Sequence, residues 1–145
     1  LPYGEVIFGD TIAAIATAPG RGGVAVVRVS GPEAWSVAER VAGRRPICGR
    51  VLFSRFSSCS RNSRGGGEVA VDKGLVLAFK APHSYTGEDV VEFQCHGGAV
   101  TPRRVLEACI AAGARLARRG GRGARGQDGE DGHLHRRHQV KNRRI

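Results

Sequence analysis

Two charged residues sit inside runs that otherwise read as sheet. Arg28 interrupts the β-branched run of residues 24–29 (VAVVRV). Glu92 lies in residues 89–96 (DVVEFQCH), where Val91, Phe93 and Cys95 alternate with Glu92, Gln94 and His96. That period of two belongs to a half-buried strand. Each charge therefore faces solvent on the polar side of a sheet or answers a ligand or another charge. One carboxylate can accept two parallel donors, such as the ring N–H and adjacent amino group of a pterin. A guanidinium can answer carboxylates or ring oxygens. The segment Gly20-Arg21-Gly22-Gly23 could cradle an anion, because glycines let backbone N–H groups converge, or could be a turn that needs positive φ. His96, followed by Gly97-Gly98, is open to a catalytic or a structural, hydrogen-bonded reading. No Ser or Cys nucleophile with a matching acid accompanies it, so no catalytic residue is assigned.

Several chemistries are absent. A phosphate-binding loop needs Gly, four residues, then Gly-Lys-Ser/Thr, and nothing in the sequence matches, so the chain is not expected to be a GTPase or catalytic by itself. The cysteines at 48, 59, 95 and 109 have no C-x-x-C spacing, which gives zinc or dithiol chemistry little support. They read as reduced thiols, with Cys95 and Cys109 buried. His133, His135 and His138 could bind metal only adventitiously, and no metal site is assigned. The net charge of +10 is uneven. Residues 115–145 hold ten Lys/Arg against three Asp/Glu, which leaves thirteen against ten in residues 1–114. The basic bias is a property of the tail. No run of 18 apolar residues exists, and no membrane association is expected. The start, Leu1-Pro2-Tyr3-Gly4, shows neither a Met nor a signal peptide, which suggests a fragment.

The elements that must position these residues are legible in outline. Residues 11–17 (TIAAIAT) and 24–29 are strand-like runs split by a Gly/Pro cluster, the pattern of a hairpin or tight strand connection. Ser30-Gly31-Pro32 opens a helix in which Ala34, Val37, Ala38 and Val41 recur at helical spacing, and Gly43 ends it. Residues 50–56 read as a strand, 57–67 as a Ser/Asn/Arg/Gly loop, 74–79 (GLVLAF) as a strand and 81–88 (APHSYTGE) as a loop. After the strand at 89–96, Gly97-Gly98 turns the chain into a helix containing Val100, Val105, Leu106, Cys109 and Ile110. Pro102 is tolerable only in its first turn, and Gly113 closes it. Residues 114–117 suggest a last short strand. The sum is an α+β fold: a mixed sheet of about five strands with two or three helices. Residues 1–118 form one domain. Residues 119–145 are a Gly/Arg/His-rich tail with too little apolar surface to offset its ordering entropy, and read as disordered.

Three blocks, taken in order, resemble the MnmE/TrmE family of tRNA-modification GTPases. They are residues 10–31 (DTIAAIATAPGRGGVAVVRVSG), residues 82–98 (PHSYTGEDVVEFQCHGG) and, more weakly, residues 113–118 (GARLAR) with the helix before them. The resemblance covers roughly residues 8–119. It implies an N-terminal module similar to the tetrahydrofolate-binding domain of the glycine-cleavage aminomethyltransferase. Such a module dimerises its protein and binds 5-formyl-tetrahydrofolate or a related reduced folate. The resemblance also implies a whole enzyme that modifies C5 of wobble uridine in tRNA with an FAD-dependent partner protein. Arg28 and Glu92 match the family's folate contacts, and Arg21, Gly22 and Gly23 lie in a matching segment.

The chain departs from the family after residue 118. The family continues with a Gly-Glu-Phe segment and a long helical domain, where this sequence has Arg119-Gly120-Gly121-Arg122-Gly123 and the polar tail. A basic folate contact, the GTPase domain with its GTP, Mg and K, and the C-terminal cysteine motif are not in this sequence. A truncated or frame-shifted reading is expected from that break. The competing readings are a small basic RNA-binding protein and a truncated non-functional product. The family implies a cytoplasmic location, or a mitochondrial or chloroplast one in a eukaryote.

Overall fold

The computed structural model describes residues 10–59 and 66–118. Its elements are β1 (Ile12–Ile15), β2 (Val24–Ser30), α1 (Ala34–Ala42), β3 (Leu52–Cys59), β4 (Glu68–Phe79), β5 (Val90–His96), α2 (Thr101–Ala111) and β6 (Arg115–Leu116). The six strands form one sheet in the order β3-β4-β5-β2-β1-β6. All neighbours are antiparallel except β1 and β6, so the α+β assignment and the mixed sheet stand. The two blocks far apart in sequence become central neighbours: β2 pairs β5 from Val24↔His96 to Ser30↔Val90.

Alternation decides which face is covered. Ala13, Val27, Val29, Val76, Val91, Phe93 and Cys95 point to one side and join Val37 and Val41 of α1 and Val105 and Cys109 of α2 in a single core. Phe56 and Phe93 meet edge to face there, with centroids 5.2 Å apart at 88°. Val26 and Arg28 of β2, Glu92 and Gln94 of β5, and Leu75 and Leu77 of β4 point to the other side, which no helix covers among the described residues. Both helices fall where the periodicity placed them. Pro102 sits in the first turn of α2, where its missing N–H costs nothing.

Two expectations need correction. The described sheet has six strands, not about five, while the two helices among the described residues fit the two or three expected. Residues 57–67 are not all loop: β3 runs to Cys59, and β4 begins at Glu68 instead of residue 74. Val69 and Val71 alternate with Glu68 and Ala70, a strand signal masked by the Ser/Gly-rich composition before them. Pairing with the neighbouring strand, here Ser57↔Ala70 to Cys59↔Glu68 beyond a register shift at Phe56/Ser57, overrides weak intrinsic preference. The expected disorder of residues 119–145 falls outside the described residues.

Candidate functional site

Arg28 and Glu92 are direct partners across the β2–β5 ladder. Each strand places alternate residues on one face, so this register sets both side chains on the helix-free side. Nε and Nη2 of Arg28 both donate to Glu92 Oε1, at 2.9 and 2.6 Å. Glu92 Oε2 has no partner among the described residues. The side chains are only 23% and 17% exposed, so the pair is partly desolvated. Tyr85 stacks on its Arg28 member, with Arg28 Cζ 4.2 Å from the ring centroid, a cation–π contact.

Tyr85 belongs to the loop between β4 and β5, and that loop is tied to β2. The buried Ser30 hydroxyl lies 2.7 Å from Thr86 Oγ1 and donates to Glu88 Oε2 at 3.1 Å. Gly31 N–H donates to the Asp89 carbonyl at 2.9 Å. The Asp89 carboxylate accepts from Ala81 N–H at 3.0 Å and from Lys80 Nζ at 2.8 Å. Burial pushes the Asp89 carboxyl up, but those two donors outweigh it and hold the group below 3.8. Leu77 stands opposite Glu92 on β4 and lines a cavity of about 370 Å³ with Val51, Phe79, Arg50, Lys80 and His83. Its lining mixes apolar side chains with basic ones. The arrangement thus offers a carboxylate acceptor, a guanidinium and an aromatic plane beside an apolar cleft, which suits a flat ligand that carries N–H donors and negative charge.

The sequence that builds this arrangement matches a known family. Residues 11–126 fit the family described as "GTP-binding protein TrmE N-terminus". The chain belongs to that family. It is similar to the tRNA modification GTPases MnmE of Stutzerimonas stutzeri (strain A1501), 50% identical over 111 residues, and of Legionella pneumophila (strain Corby), 51% identical over 111 residues. It is 52% identical over 114 residues to the protein of that name from Symbiobacterium thermophilum. Each match covers 77% of this chain and 23–24% of the relative, so the chain spans about a quarter of the length of these curated relatives.

Within this TrmE N-terminal domain, the remaining candidate residues lie elsewhere. Arg21, Gly22 and Gly23 form the tip between β1 and β2, more than four residues from Arg28, or at least about 13 Å along the strand. The tip packs on the end of β5: Gly97 N–H donates to Gly23 O at 3.1 Å, and a Cβ on Gly97 would stand 1.7 Å from Gly22 O. Of Gly20 and the three tip residues after it, only Gly20 has positive φ. Gly22 and Gly23 have neither positive φ nor a neighbour that excludes a side chain, so the fold alone does not account for them. His96 is hydrogen-bonded, through both its N–H and its ring, to Asp72. The four thiols are free, with Cys95 and Cys109 buried. Among the described residues no His/Cys/Asp/Glu cluster could hold a metal, and no helix is long and apolar enough to cross a membrane. Sequence reasoning overlooked Tyr85, Ser30, Thr86 and Glu88 as parts of the site. The polar run just before the Glu92 strand was the available signal.

Proposed function

We propose that this TrmE-type domain binds a reduced folate, 5-formyl-tetrahydrofolate or a close relative. On this reading it also pairs two copies of its protein within a tRNA modification GTPase. That enzyme acts at C5 of wobble uridine, in the cytoplasm, with an FAD-dependent partner protein. The fold is then kin to the tetrahydrofolate-binding domain of the glycine-cleavage aminomethyltransferase. GTP, Mg and K belong to parts of such an enzyme outside this sequence.

One observation supports the ligand assignment: Glu92 keeps Oε2 unpartnered while its partner Arg28 stacks on Tyr85, and its neighbour Leu77 lines a cleft that Arg50, Lys80 and His83 also line. A pterin amino group donates to Oε2. Its ring N–H reaches Oε1 once the ligand has displaced Arg28, which turns to the ligand's oxygens. Arg21, Gly22 and Gly23 serve the far end of an elongated ligand. Dimerisation draws support from the helix-free face, where Phe53 and Leu75 are exposed cross-strand partners.

Calorimetry with 5-formyl-tetrahydrofolate tests the reading. Glu92→Gln is expected to weaken binding by about ten- to 150-fold, the worth of one hydrogen bond to a charged group. Absence of binding to the parent chain, or equal affinity in the variant, overturns it. Sedimentation equilibrium tests the pairing: Phe53→Asp is expected to yield folded monomers.

A further inference from the structure

The far end of the helix-free face carries a second constellation. The β4–β5 ladder ends at Leu75↔Gln94, so β4 no longer supplies His96 with a ladder acceptor. Asp72 takes its place. Its Oδ2 accepts the His96 N–H at 2.9 Å, and its Oδ1 lies 2.8 Å from the ring Nδ1. Burial pushes the Asp72 carboxyl up, but the His96 N–H and ring outweigh it and hold the group below 3.8. With Nδ1 committed, Nε2 is left on a side chain that is 74% exposed. Beside it, Arg55 and Lys73 are direct cross-strand partners, both exposed, and neither has an ion-pair partner among the described residues. Like charges placed opposite one another on a sheet are destabilising. Folding gains nothing from this pair, so an anion is the simplest reason for it. Arg55, Lys73, His96 and Asp72 line one surface cavity of about 440 Å³.

We infer that this cavity is a phosphate-binding site. Guanidinium and ammonium are two unlike donors around one cavity; with Nδ1–H held by Asp72, the ring adds a third from Nε2 in its doubly protonated form, and a tetrahedral oxyanion offers an oxygen to each. The lone acid lining the cavity, Asp72, is occupied by His96 and acts as a positioning residue for the ring. The site stands four residues up β5 from Glu92, about 13 Å away. It is therefore distinct from the Arg28–Glu92 pair, though it lies at the end of β5 on which the Arg21–Gly23 tip packs, Val24 being the partner of His96. Its phosphate comes from a free phosphate or small phosphomonoester, or from the backbone of RNA.

Isotope-labelled full-length chain is titrated with inorganic phosphate at constant ionic strength, with the side-chain resonances of His96, Arg55 and Lys73 followed by NMR. Saturable shifts at these three residues are expected. The Arg55→Gln/Lys73→Gln double variant weakens them at least tenfold while its urea midpoint stays level or rises, because the repulsion is relieved. Asp72→Asn gives an intermediate loss. A hairpin RNA without terminal phosphates separates the two sources. Displacement of phosphate from the same resonances assigns the site to the RNA backbone, and failure to displace it assigns the site to small phosphates. Shifts that do not saturate, or that persist unchanged in the double variant, overturn the proposal. No folate is present, so this outcome is independent of the Arg28–Glu92 reading.

Discussion

Breaking the Arg28–Glu92 pair should cost stability and ligand binding by different amounts, and the structure says how different. Exposed ion pairs contribute about 0–1 kcal/mol, whereas hydrogen bonds to charged groups contribute about 1.5–3 kcal/mol. Here two donors converge on one oxygen at 2.9 and 2.6 Å between side chains 23% and 17% exposed. Partial solvent screening sets the pair between those limits, at about 1–2 kcal/mol. In Glu92→Gln the guanidinium keeps its stacking on Tyr85, worth about 0.5–1 kcal/mol. The expected loss on unfolding is therefore about 1–2 kcal/mol, small enough to leave a domain with several kcal/mol of stability folded. Urea titration followed by the single tryptophan, Trp35, measures it. A double-mutant cycle with Arg28→Gln should return a coupling of about 1 kcal/mol. The charge-swapped variant Arg28→Glu/Glu92→Arg should recover part of that stability yet bind no 5-formyl-tetrahydrofolate, because acceptor and donor have changed places. A coupling below about 0.3 kcal/mol would mean that the pair is an accident of two solvated side chains, and the reasoning from its geometry would fail.

Three further outcomes are expected. Gly97→Ala should lower stability by about 3 kcal/mol, since its Cβ would meet the Gly22 carbonyl at 1.7 Å, whereas Gly98→Ala meets nothing and should cost only about 1–2 kcal/mol for positive φ; equal urea midpoints would contradict this. A colorimetric thiol reagent should modify exposed Cys48 and Cys59 in the native chain and reach Cys95 and Cys109 only on unfolding. Burial foremost, with Cys95 beside it, pushes the Cys109 thiol up to about 12, so rapid native labelling of all four would refute the packing. Asp72 and Asp89 both titrate below 3.8 in the folded chain, so each contributes stability above pH 3.8 that is lost as the pH falls through its lower folded value. Asp72→Asn and Asp89→Asn should each flatten the stability curve below about pH 4, and an unchanged acid limb would count against the bonds assigned to them.

Periodicity alone set the strands and helices where it is strong, and with them the two-faced character of the sheet. Val91, Phe93 and Cys95 could only face a core, and Glu92 could only face away. Family membership was also legible, because two dense blocks carry residue types that spacing alone would not produce. What the sequence could not determine was pairing. The outer half of β4 was hidden because its strand character lies in its partner, β3, and not in its own composition. That Arg28 stands opposite Glu92 and that Tyr85 stacks on Arg28 depend on how segments some sixty residues apart come together. Asp72 and His96 meet for the same reason: β4 departs from β5 just where a backbone N–H needs an acceptor. Local pattern fixes which face a side chain takes, since that depends only on its own strand. Which side chains meet on that face is settled when the chain packs, because burying one common core admits a single alignment of the strands.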